Sequence, residues 1–162
     1  MDMLTVFGVQ FLLSIIVFAM IGAWLVRPWL YDKPIEQALF WLVLPHAFRH
    51  LGLVFLVPGV VAPSMAANFA NAAAYGDLAA GLLAVMALIA IQRRWSLMLP
   101  IVWLLNIVGT VDLLNALRHT DALPYFQSAW YIPTFVVPLL LVTHFMMFAL
   151  LTGKRKKTAA IQ

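Results

Sequence analysis

Five stretches of this chain are apolar for long enough to cross a lipid bilayer, and this limits the possible folds more than any other feature. The hydrocarbon core is about 30 Å thick and takes about 20 apolar residues as a helix. Inside it, backbone polar groups have to be bonded within the protein. The expected fold is therefore all-α: an integral membrane protein with five transmembrane helices, over residues 3–26, 35–57, 75–92, 95–117 and 126–152, and a basic tail over 153–162. Residues 1–162 then form a single membrane domain. The chain is 65% hydrophobic and 10% charged, against about half and about a quarter in soluble domains.

Several details sharpen this layout. Asp2 precedes the first run and Arg27 follows it, the reverse of a signal peptide's basic start, so a retained helix is expected. Residues 27–34 are read as a turn, with Trp29 and Tyr31 at headgroup level. Residues 64–74 are read either as a short interfacial helix capped by Ser64 or as an early start to the third span. Gly76, Ala80 and Ala84 form a small-residue ladder that lets another helix come close. Pro45, Pro133 and Pro138 interrupt the second and fifth spans and are expected to kink them.

Basic residues set the expected orientation. Arg27, Lys33, Arg93, Arg94 and the run Lys154-Arg155-Lys156-Lys157 fall at one end of the bundle, and Arg118 at the other. The positive-inside rule then puts the N-terminus outside and the C-terminus in the cytoplasm, in what is expected to be a bacterial cytoplasmic (inner) membrane. The net charge of +4 is thus an orientation signal, and no nucleic acid is expected as a partner. The partners expected are the lipid bilayer, a small hydrophobic or amphipathic ligand, and a second copy or a larger membrane complex.

The absence of cysteine excludes disulfides, thiolate metal sites, iron–sulfur clusters and covalently attached haem. No lysine lies in the spans, which excludes a retinal Schiff base. No serine nucleophile stands in a recognisable motif with a histidine, and whether any reaction is catalysed stays open.

What remains is an unusual set of polar groups at membrane depth. In Leu44-Pro45-His46-Ala47-Phe48-Arg49-His50-Leu51, α-helical spacing puts His46, Arg49 and His50 on one face. Counting about 1.5 Å per residue sorts the polar groups into two layers. Arg49, His50, Asp77, Asp112 and Asn115 fall in the outer one, with Tyr131 and Thr134; His46, Asn106 and His144 fall in the inner one. An unpaired charge there costs at least about 2.5 kcal/mol, so Arg49 is expected to pair with Asp112 or Asp77. His119 is expected to be a solvated loop residue.

Four chemistries compete for this set. The favoured one is a pocket among helices two, four and five for a lipid, sterol-like molecule or quinone. It would be lined by His46, Arg49, His50, Asp112, Asn115, Trp130, Tyr131 and His144, with Arg49 anchoring an anionic or carbonyl group. A b-type haem is the alternative, with His46 or His50 and His144 as axial ligands. The string Arg49-His50-Leu51 resembles the arginine-histidine pair in the haem-binding helix of succinate dehydrogenase membrane anchors, which have three spans rather than five. A proton-coupled transporter or channel is a third reading, though no internal repeat supports it. A structural subunit of a larger complex is the fourth. No metal site is expected, because an arginine between His46 and His50 repels a cation.

Overall fold

The computed structural model describes residues 1–153. They form an all-helical bundle, with no strand among the described residues, and five helices are long and apolar enough to span a membrane. These are Met3–Tyr31, Ile35–Leu56, Ala67–Gln92, Met98–Ala116 and Gln127–Thr152. The basic run Lys154–Lys157 lies outside the described residues.

The first span is longer than expected. Residues 27–31 continue the helix, and the turn shrinks to about Asp32–Pro34. Asp2 caps its start, accepting from the Thr5 backbone N–H at 2.8 Å and from the Thr5 hydroxyl at 2.9 Å. Those bonds favour the ionised carboxylate and hold Asp2 below the usual carboxylate range. The third span starts at Ala67, so most of the alanine-rich stretch belongs to it and forms no separate interfacial helix.

Proline governs where the helices depart from α geometry. A helical proline clashes with the carbonyl four residues back. Pro28 and Pro138 each follow a π turn, Gly22–Val26 and Ile132–Val136, which contains the displaced carbonyl of Trp24 or Thr134. Pro45 opens a larger departure. From Leu44 to Leu56, over 13 residues, the second span is a 3₁₀ helix. Runs beyond three or four residues are uncommon, because the hydrogen bonds are poorer. Its period of three residues puts His46, Arg49, Gly52 and Phe55 on one buried line.

That line packs mainly on the third span, whose inner face is small: Ala70, Ala74, Ala80, Gly81 and Ala84 are all buried. At Gly81 a Cβ would lie 3.0 Å from the His50 backbone nitrogen, so the two backbones touch there. The interior divides by height. Leu39, Leu42, Val43, Ala87, Val102, Leu105 and Met147 make a dry apolar core toward the basic end. Phe55, Ala74, Leu123 and Phe126 belong to a second, aromatic-rich cluster toward the other end. The polar residues sit between them.

Candidate functional site

Arg49 is the centre of the outer layer. Its Nε donates to Asp77 Oδ1 at 2.7 Å, its Nη2 donates to Asp112 Oδ2, and its Nη1 donates to the Gly109 carbonyl at 3.2 Å. The expected pair is thus a triad, in which one guanidinium serves both aspartates. Asp77, on the third span, is a member of the layer that the candidate site set had omitted. The Arg49 side chain is 1% exposed, against 14% for Asp77 and 23% for Asp112. Glycines make room for the carboxylates: a Cβ at Gly52 would fall on that of Asp77, and one at Gly76 on that of Asp112.

The inner layer is fully buried. His144 Nδ1 lies 2.6 Å from Asn106 Oδ1, which can only accept, so His144 carries its proton on Nδ1. His46 Nε2 lies 2.9 Å from Thr143 Oγ1, a hydroxyl that also reaches the Leu139 and Leu140 carbonyls at 3.1 and 2.9 Å. Each imidazole thus spends one nitrogen on a neighbour and leaves the other, His46 Nδ1 or His144 Nε2, facing the interior. Neither has a hydrogen-bond partner among the described residues, and nor does Asn106 Nδ2. The two ring centroids are 4.0 Å apart, with the ring planes tilted by 45°. Gly109 joins the layers, since a Cβ there would lie 2.6 Å from His144 Nε2 and 2.9 Å from Arg49 Nη1.

Above the triad is a cavity of about 40 Å³. Asp77 and Asp112 lie on its floor and Phe7, Phe55, Phe69 and Phe126 wall it. Phe55, Phe69 and Phe126 meet edge to face at 5.4–6.2 Å. A larger groove of about 370 Å³ adjoins it between the third and fourth spans, lined by Asn68, Asn115 and Asp121. Cavity and groove share Phe69, Asp112 and His119. His119 is the exposed loop residue expected, its side chain 50% exposed, and its ring also lies 5.6 Å from that of Phe69 at the edge of cavity and groove.

The site thus differs from the expected one in four ways. His50 is exposed on the outer surface, with Nδ1 2.9 Å from its own helix's Ala47 carbonyl, because the 3₁₀ period swings it off the line of His46 and Arg49. Arg49 lies beneath the floor with each of its three nitrogens bonded to a protein oxygen and its charge met by two carboxylates, so it is not placed to anchor an anionic group. Trp130 and Tyr131 do not line the cavity: the Trp130 indole donates to Gln10 Oε1 at 2.7 Å, and Tyr131 is 73% exposed. The cavity also draws walls from the first and third spans as well as the second, fourth and fifth. Asp112 lines both cavity and groove, and Asn115 lines the groove.

The inner layer does not fit haem. Two axial imidazoles have to stand on opposite faces of a macrocycle. The His46 and His144 rings are in direct contact instead, and the exposed His50 faces neither.

Five helices of membrane-spanning length around a buried charge triad define an all-helical bundle of the membrane-protein type. Residues 6–152 match a family described as a domain of unknown function (DUF8737), and the chain belongs to that family. No curated protein and no solved structure matches the chain.

Proposed function

We propose that this chain is a membrane-embedded binding protein for a small amphipathic ligand, with its N-terminus outside and its C-terminus in the cytoplasm. The observation that carries this reading is the aromatic-walled cavity floored by Asp77 and Asp112 and continuous in its lining with the Asn115 groove. About 40 Å³ suits a small head group, and the 370 Å³ groove suits the body of the ligand.

The floor sets the kind of head group. Each aspartate gives one oxygen to Arg49, and its second oxygen makes no hydrogen bond among the described residues. The floor therefore offers acceptors. A head group that donates suits it, such as a protonated amine or the hydroxyl of a sterol-like molecule or a quinol. A carboxylate head does not.

The test is a thermal-unfolding series in neutral detergent with a long-chain amine, alcohol and carboxylate of equal length. The amine should stabilise most and the carboxylate least. Saturation at a hundredfold excess over Kd corresponds to about 2.7 kcal/mol. Asp112→Asn should abolish the amine's advantage. A carboxylate that stabilises most, or an amine effect unchanged in Asp112→Asn, would overturn this reading.

A second reading, lateral association, rests on His50. It is exposed in mid-span between the exposed Phe48 and Leu51, which puts a polar ring on a lipid-facing surface. Association with a second copy or another membrane subunit would bury it. His50→Leu should then shift the assembly to smaller species on native gels; an unchanged pattern rejects this role.

A further inference from the structure

At the opposite, basic end of the bundle, away from the ligand cavity, one residue stands in an unfavoured conformation. The third span ends at Gln92, and Arg94 follows with φ at 51°, in the left-handed region. The Trp95 N–H donates to the Ala90 carbonyl at 2.9 Å and the Arg94 N–H to the Ile91 carbonyl at 3.1 Å. Those two bonds close the helix in the form that usually has glycine at the position of Arg94, because a Cβ is strained there. The helix dipole favours a positive charge at this end, but Arg93 already supplies one at φ −88°. The Arg94 side chain therefore runs against the demands of the turn, and such an outlier points to a use.

Its surroundings suggest which use. Two grooves, of about 300 and 430 Å³, meet at Arg94, Glu36 and Gln37, which line both. Glu36 is half-buried in the first turn of the second span. Neither the Glu36 nor the Arg94 side chain makes an ion pair or a hydrogen bond among the described residues, so two opposite charges share both grooves without neutralising each other. The smaller groove continues over Phe40, Trp41 and Ile91. Phe40 and Trp41 lie one turn further along the span than Glu36 and Gln37, about 6 Å deeper. Trp41 and Trp95 are both half-exposed, and Trp41 packs edge to face on Trp29 at 5.6 Å. Tryptophans at the end of a span mark headgroup level.

We infer that these grooves bind a zwitterionic phospholipid with a primary amine, of the phosphatidylethanolamine type. Its phosphate lies at Arg94, its ammonium at Glu36, and an acyl chain over Phe40, Trp41 and Ile91. An arginine gives a phosphate charge-assisted hydrogen bonds, and a carboxylate takes them from an ammonium. Glu36 opposes a lipid of net negative charge, and a quaternary ammonium has no N–H to offer it. The two charges together select the primary amine over both phosphatidylglycerol and phosphatidylcholine.

Native mass spectrometry of the full-length protein, released from neutral detergent, would measure retention of these three lipids with identical acyl chains. Phosphatidylethanolamine should be retained several-fold above the other two. Glu36→Gln should bring it down to the level of phosphatidylcholine. Arg94→Gly should cut its retention about fivefold, the effect of one basic residue at a membrane surface. The same substitution should leave the thermal midpoint unchanged or raise it, since glycine relieves the turn, and this separates lost binding from lost folding. Equal retention of phosphatidylethanolamine and phosphatidylcholine overturns the proposal, as does a preference for phosphatidylglycerol. So does a preference for phosphatidylethanolamine that persists in Glu36→Gln. A lower midpoint in Arg94→Gly also overturns it, because the arginine would then be a structural residue of the turn.

Discussion

Gly109 joins the two polar layers. Its carbonyl accepts from Arg49, and its missing side chain is what lets His144 Nε2 and Arg49 Nη1 both lie against the fourth span. Gly109→Ala puts a methyl where neither neighbour can yield without losing a buried bond. It should lower stability by about 1–3 kcal/mol, the usual cost of overpacking, read as a fall in the thermal midpoint in detergent. Arg49 gives a sharper test. Arg49→Leu strands two carboxylates at once and should cost about 3–5 kcal/mol. Because both aspartates depend on it, adding Asp112→Leu alone should recover only part of the loss, and adding Asp77→Leu as well should recover most. Full recovery with either single aspartate would mean that the other carboxylate is not part of the triad.

The second span carries the element-scale consequences. At about 2.0 Å per residue against 1.5 Å, its 3₁₀ stretch is about 6 Å longer than an α-helix of the same residues. It also changes which residues face inward. An α-helix presenting His46 and Arg49 would bury His50 with them, whereas the observed helix buries Phe55 and exposes His50 and Leu56. Cysteines placed singly at these positions should separate the two. Nitroxide-labelled, they should collide often with molecular oxygen dissolved in the bilayer at positions 50 and 56 and rarely at 55; a low collision rate at position 50 would argue for α geometry. The sequence reading failed here for an identifiable reason. Pro45 announces a break in the hydrogen-bond ladder but does not say whether a kink, a π turn or a 3₁₀ run repairs it. The glycines that favour the close packing, Gly52 and Gly81, are informative only once their neighbours are known. The Arg49 pairing was legible, because a charge at that depth demands a partner and few candidates existed. The ring wall of Phe55, Phe69 and Phe126 was not. Three phenylalanines far apart in an apolar sequence look like any others until the fold brings them together.

At the scale of the whole molecule, the proposed topology has five spans and therefore puts the two termini on opposite faces. A reporter fused after Gln162 should read as cytoplasmic, and one placed between Val57 and Ala66 as external, since eight of the ten basic residues lie at the end that holds the C-terminus. The reverse pattern would invert the orientation proposed here and move the cavity to the cytoplasmic face. The vertical order of the interior has a further consequence. Cavity, charge triad and histidine layer follow one another downward, and then the column ends on the dry packing of Leu39, Val43, Val102, Leu105 and Met147. A column closed at one end supports no net flux. Under the proposed function, a ligand that enters leaves by the same mouth, and its occupancy follows concentration on one side of the membrane without consuming a gradient. On that reading the proposed binding protein would act as a gauge, whose output would leave through the helices themselves.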